Sequence, residues 1–316
     1  SSKVSMAKLG KWIENIGPVY RIVDVAAQTL RTRLDAVEHY LPLAAENAAE
    51  SAEYVHQLRV ATRRVRAAIS LYEELLPSKR AQRLNRKLQR IRQAAGEARD
   101  CDVLIERLES GNGHKGNEEE LQPILRRLRR QRKAAQAPIE EVFERFTHNQ
   151  KFHRRGNELV ERIRPRGRNK RVDSGNPVFR DWAPTVFAPV VERFLQAVPA
   201  ENPALEELHQ FRIRGKGLRY AMELLAPAYP PNFREELYPR LGELQEVLGE
   251  VNDHCTAAAR FARYADEASD KPERKFFRRL MKHEEQSAAE AQQAFAQWWT
   301  PQFHQEIEQR LHSFTR

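Results

Sequence analysis

Apolar residues recur along this chain at the three-and-four spacing of a helix face, as in Leu58, Val65, Ile69, Tyr72 and Leu76, and again in Phe211, Leu218, Met222 and Leu225. The alternation of β-branched with polar residues that marks a strand is missing, so the pattern predicts an all-α protein. Pro and Gly set the limits of the helices. In the first half, a helix begins after Gly17 and Pro18 and runs to about Glu46 with a kink at Pro42. Ser51 caps a second that ends at Pro77, and Ser78 caps a third that reaches Leu108 with Gly96 near its middle. The loop from Ser110 to Asn117 precedes a fourth, starting near Glu118. In the second half, Asn202 before Pro203 reads as an N-cap and first-turn pair, and Asn232 with Glu235 as a capping box. Four amphipathic helices joined by short connections bury their stripes most simply as an antiparallel bundle.

The halves repeat. HQLRVATRRVR from His56 aligns with HQFRIRGKGLR from His209 at an offset of 153, and the same ungapped offset carries Gly96, Glu97 and Asp100 onto Gly249, Glu250 and Asp253. It also carries Leu84, Leu88 and Ile91 onto Leu237, Leu241 and Leu244, and Lys87 onto Arg240. An internal duplication is expected, giving two pseudo-symmetric four-helix bundles over residues 18–163 and 177–316. The turn-rich basic segment 164–176 reads as their linker.

Charge adds a partner to this picture. Lys and Arg number 54 against 44 Asp and Glu, a formal net charge of +10 that directs attention to polyanions. Apolar residues at 41% supply real cores, and 31% charged residues supply a highly charged exterior. The two cysteines, Cys101 and Cys255, lack disulfide-framework or CxxC spacing and read as core spectators in a reducing compartment. The chain opens without an apolar signal region and holds no span-length uncharged stretch, so a cytoplasmic protein without membrane insertion is expected. Trp298 and Trp299 are expected to anchor the final helix.

The cations are patterned. His56, Arg59, Arg63 and Arg66 fall within an arc of roughly 80° beside the core stripe, and His209, Arg212, Lys216 and Arg219 occupy the matching positions. Arg80, Arg83, Lys87 and Arg90 show the spacing again, whereas in the second half only Arg240 keeps a matching charge. Between Arg59 and Arg92 only Glu73 and Glu74 oppose eleven cations, too few for pairing along the helix to neutralise the row. Like charges in such rows repel, and arginine forks suit phosphate oxygens, so a bound phosphate-bearing anion is the expected compensation. The histidines at the head of each row could contact the same anion.

The paired H-Q-x-R-[VI]-x-x-[RK]-x-x-R runs, each followed about 40 residues later by G-E-x-[RN]-D, resemble the CHAD family, the conserved histidine α-helical domain. That resemblance covers nearly the whole chain. It implies two pseudo-symmetric helical bundles whose basic residues line a groove or pore that binds inorganic polyphosphate, with an association with polyphosphate granules. It implicates His56, Arg59, Arg63, Arg66 and Lys87 with His209, Arg212, Lys216, Arg219 and Arg240. No enzymatic activity, cofactor or metal follows from it. Gly215 and Gly217 depart from the pattern; each costs about 1 kcal/mol in a helix interior relative to Ala, implying close backbone approach or local looseness.

Two other readings stay open. Glu97 and Asp100, repeated as Glu250 and Asp253 with His56 or His254 nearby, could ligate the metal of a phosphohydrolase, or could pair with and orient the arginines. The run from Arg126 to Lys133 and the basic linker could touch nucleic acid, or be a solvated face and a tether. Few aromatics interleave the rows, which favours a polyanion without bases.

Overall fold

The computed structural model describes residues 10–110, 118–164 and 176–316. Most of the expected linker over 164–176, and the loop after Ser110, lie outside the described residues. The protein is all-α, and the one strand-like pairing among the described residues is an isolated bridge between Arg21 and Val178. The helices in order are α1 (Ile22–Glu46), α2 (Glu53–Leu71), α3 (Ser78–Ala94), α4 (Gly96–Glu109), α5 (Glu118–Ala134), α6 (Ala137–Thr147) and α7 (Lys151–Val160). There follow α8 (Phe179–Leu195), α9 (Leu205–Leu225), α10 (Tyr238–Glu267), α11 (Lys271–Trp298) and α12 (Pro301–His312).

Several local expectations are corrected. The third helix, expected to run unbroken from Ser78 to Leu108, is two helices separated at Ala95. In an unbroken α-helix the carbonyl of Arg92 would accept from the Gly96 N–H; here it accepts from the Arg59 guanidinium at 2.9 Å. Ser78 is itself the first helical residue, and Pro77 occupies the cap position. Before α9, Asn202 sits at a φ of 56°, and the helix entry is closed instead by the Ala204 N–H donating to Glu207 at 2.7 Å. A π-helical turn over Phe233–Leu237 leads into α10, where a capping box was expected. Ser51 does serve α2, its hydroxyl accepting from the Glu53 N–H at 3.2 Å.

The chain divides into two compact units. Unit 1 comprises Ser1–Asp102, Arg130–Phe187 and Tyr220–Phe233, and unit 2 comprises Val103–Arg129, Ala188–Arg219 and Arg234–Arg316. These units do not coincide with the sequence halves 18–163 and 177–316, and packing explains why. Within unit 2, Leu104, Leu108, Ile124 and Leu125 bury against Phe261, Tyr264, Phe276 and Phe277, which draws 103–129 into that core. Within unit 1, Phe233 meets Phe187 edge-on at 5.4 Å and stacks on Tyr229 at 4.4 Å. Each such side chain taken out of water stabilises its unit by roughly 1.5–3 kcal/mol. A sequence repeat carries no information about which core a given apolar face joins.

The stripes themselves are buried as their period predicts. Leu58, Val65, Ile69, Tyr72 and Leu76 lie in the core of unit 1, with Tyr72 stacked on Trp182 at 5.5 Å. In unit 2, Trp299 meets Phe211 edge-on at 5.4 Å and stacks on Phe295, while Trp298 packs on Phe303 of α12 at 4.7 Å. Both tryptophans therefore fix the last helix. No helix of the described residues is long and apolar enough to cross a membrane.

Candidate anion-binding site

In unit 1, α2 holds His56, Arg59, Arg63 and Arg66 half-buried beside its core stripe. Two arginines that the sequence reading did not select join them. Arg92, from the end of α3, has its guanidinium pKa pushed below the ordinary value by burial and then by Arg66 and Arg63. Arg99, from α4, is the strongest charged influence on His56. Burial and then Arg63 likewise depress Arg59; Asp100 opposes that effect, and Arg92 and Arg99 reinforce it. Arginine keeps its proton under all such shifts at neutral pH, so these directions record crowding of fixed positive charge.

Gly96 belongs to this arrangement. A Cβ added there would lie 3.6 Å from Arg59 Nη1, an ordinary contact, so the guanidinium lies beside Gly96 at the break between α3 and α4. His56 responds to the crowd: burial first and Arg99 second lower its pKa from the ordinary 6.5, with Glu53 opposing. Without an anion the imidazole is thus held toward its neutral form, the reverse of what a bound phosphate would do.

The third-helix row does not join this cluster. At 100° per residue, Lys87 lies roughly 140° around α3 from Arg92, and its partners are different. Lys87 sits over the Phe146 ring of α6 at 4.6 Å, Arg80 pairs with Glu158 of α7 at 2.9 Å, and Arg83 and Arg90 are exposed. Lys87 and Arg92 thus lie on different faces of α3, with different neighbours.

Unit 2 places its own row on α9 in a more neutralised setting. His209 Nδ1 lies 3.0 Å from Asn252 Oδ1, and Arg212 lies 4.0 Å from Asp253. Arg219 donates to the Tyr238 hydroxyl at 2.9 Å and stacks over its ring at 4.7 Å. Lys216 is half-buried between them along the helix. Arg240, on α10, is engaged by Glu243 at 3.5 Å and Glu306 at 3.7 Å. At the same offset of 153, Arg92 and Arg99 become Gln245 and Asn252. That substitution is why a search for duplicated charge misses both arginines.

The carboxylates act on the arginines. Asp100 stabilises the charge of Arg59 and Asp253 approaches Arg212, while Glu97 accepts from the Cys101 thiol at 3.7 Å. His254 is bound to Glu284 at 2.7 Å and to Arg107 at 2.6 Å, within unit 2. Among the described residues, no group of three or more His, Cys, Asp or Glu is placed to hold a metal ion. Three of the six cations in the basic run from Arg126 to Lys133 are paired: Arg127 with Glu273 at 2.7 Å, Arg129 with Glu109 at 2.5 Å and Arg132 with Asp102 at 2.6 Å.

The CHAD domain profile matches residues 28–262. The crystal structure of the CHAD domain from the plant Ricinus communis is similar at a TM-score of 0.68 and 20% identity, covering 94% of this chain and 93% of that one. PptA from Streptomyces chartreusis is similar at a TM-score of 0.59 and 18% identity, covering 89% and 99% respectively. At these identities the likeness is one of fold. No curated protein matches the chain.

Proposed function

The chain belongs to the CHAD domain family, and from that premise we propose that it binds inorganic polyphosphate as a non-enzymatic protein, in the cytoplasm and in association with polyphosphate granules. The observation that carries the reading is the crowding of Arg59, Arg63 and Arg99 beside His56 in unit 1, extended by Arg92 next to Arg59, Arg63 and Arg66. Five crowded guanidinia, of which Arg59 is stabilised by Asp100, are a standing repulsion that a phosphate chain relieves, through charge-assisted hydrogen bonds and release of counterions. From Arg59 to Arg66 the helix advances about 10 Å, enough to engage several successive phosphates. Unit 2 contributes its own row, whose cations are already engaged by Asp253 and Tyr238, and binds more weakly. Nothing in this scheme uses a base or a metal.

The test is a titration with long-chain polyphosphate at several salt concentrations, comparing wild type with Arg63→Gln/Arg66→Gln/Arg99→Gln. Wild-type affinity falls linearly on a double-logarithmic plot against salt, and the triple variant loses both affinity and slope while keeping its helical signal. Unchanged affinity, or displacement of polyphosphate by RNA at equal charge concentration, overturns the reading.

A further inference from the structure

Within unit 2, the segment between α8 and α9 and the junction of α11 with α12 line a cavity of about 350 Å³, a volume in the lower part of the small-ligand range. Its walls are fixed by the fold itself. Pro199 and Pro203 stiffen the α8–α9 segment, Asn202 between them takes a φ of 56°, and Gln292 of α11 donates to the Pro203 carbonyl at 2.6 Å. At the α11–α12 junction, Thr300 caps α12 by accepting from the Phe303 N–H at 3.1 Å. The remaining wall is aromatic: Phe295, 1% exposed, stacks with Trp299, and the His304 imidazole stacks on Trp299 at 5.6 Å. Backbone donors are scarce in this lining. Pro199, Pro203 and Pro301 carry no N–H, and the N–H groups of Val198, Trp299, Thr300 and His304 are already given to the carbonyls of Leu195, Phe295, Trp298 and Thr300. The chain has 54 Lys and Arg, yet none is among the described residues lining the cavity, whose one carboxylate is that of Glu201. Aromatic rings and a carboxylate attract a cation, and apolar walls accept its hydrocarbon body.

We propose that this cavity binds a small organic ammonium with an apolar body, its charged head at Glu201 and its body against Trp299 and Phe295. The ligand is opposite in sign to that of the α2 cluster, and the site does not depend on polyphosphate binding there.

The experiment titrates the full chain by calorimetry with tryptamine, tryptophol and indole-3-acetate, probes of similar shape whose side chains are positive, neutral and negative. Tryptamine saturates a single site per chain and binds about tenfold or more tightly than tryptophol, and indole-3-acetate binds least. Glu201→Gln narrows the gap between tryptamine and tryptophol at least threefold. Ala296→Phe, which fills the cavity from α11, abolishes tryptamine binding. Both residues are exposed, and thermal melts of the two variants match wild type. The proposal is overturned if tryptamine does not saturate a site, if the three probes bind alike or indole-3-acetate binds most tightly, or if either folded variant binds tryptamine as wild type does. None of these results bears on polyphosphate binding by the α2 cluster, which the salt titration reads separately.

Discussion

Arg59 donates from Nη1 to the main-chain oxygen of Arg92 at 2.9 Å, so one member of the cationic cluster holds the backbone that carries another. Arg59 thereby differs from its neighbours on α2. It caps a carbonyl at the break between α3 and α4, and its charge belongs to the proposed anion site.

Replacing Arg59 by Met leaves a part-buried carbonyl without its donor, a loss of about 1–3 kcal/mol partly offset by relief of repulsion from Arg63, Arg92 and Arg99. Arg63→Met removes repulsion without removing a backbone bond. Urea denaturation is expected to show Arg59→Met destabilised by about 1 kcal/mol and Arg63→Met at or above wild type, although both weaken polyphosphate binding. Equal stabilities for the two variants would mean that the Arg59–Arg92 bond does not hold the helix break.

The pH dependence of binding follows from His56. Its pKa in the free protein lies below the ordinary 6.5 because of burial and Arg99, and an adjacent phosphate raises it. Binding therefore takes up a proton, and affinity rises as pH falls from about 7.5 toward 5.5, by at most tenfold per unit for one site. The same depressed value gives the free fold the opposite trend. The unfolded chain binds this proton more readily, so the His56 contribution to stability is present above 6.5 and is lost as pH falls toward the lowered value. Arg99→Asn, which installs the residue found at the equivalent position 252, moves the His56 titration back up in an NMR experiment. His56→Gln removes the pH-dependent part of binding.

Much of this was legible in the chain because helical period and burial are linked by geometry alone. Leu58, Val65, Ile69 and Tyr72 sit in the core as their spacing requires. The basic row on α2 was legible for the same reason. Arg92 and Arg99 were not, because they flank a helix break at Ala95, where the Arg92 carbonyl accepts from Arg59, 33 residues before it in sequence. Lys87 was legible as part of a row on α3, but its seat over the Phe146 ring of α6 was not, because periodicity does not say which helix packs on that flank. The allotment of 103–129 to unit 2 depends on which apolar faces complement one another, which periodicity does not specify.

The two unusual glycines of α9 are expected to respond in opposite directions. A Cβ at Gly215 would collide with Nε2 of Gln245, itself buried, and would also meet Phe194 at 3.7 Å. At Gly217 a Cβ meets nothing within 4 Å. Gly217→Ala should therefore stabilise by about 0.5–1 kcal/mol through helix propensity and reduced freedom of the unfolded chain. Gly215→Ala should destabilise, because displacing Gln245 disturbs unit 2 packing by more than the helix gains. Thermal melts of the two single variants check this; a stabilised Gly215→Ala would show that the close approach tolerates a methyl.

Glu223 anchors unit 1 from inside. It is 3% exposed and receives a two-pronged contact from Arg64, Nε at 2.9 Å and Nη2 at 3.3 Å, with Arg33 at 3.9 Å. Arg33, 2% exposed, also donates to the carbonyl oxygens of Gly10 at 2.8 Å and of Lys11. Glu223→Gln keeps the shape but leaves two guanidinia without their shared counter-charge, at a cost of about 3–5 kcal/mol. Arg64→Met, which removes the less buried cation, costs less, because Arg33 still has both Glu223 and its carbonyl partners. In a double-mutant cycle, adding Arg64→Met to Glu223→Gln should recover part of the loss, since it eliminates one of the stranded charges; a coupling above about 0.5 kcal/mol is expected. Strict additivity would mean that Glu223 is held by Arg33 alone, and that the Arg64 contact contributes nothing to the fold.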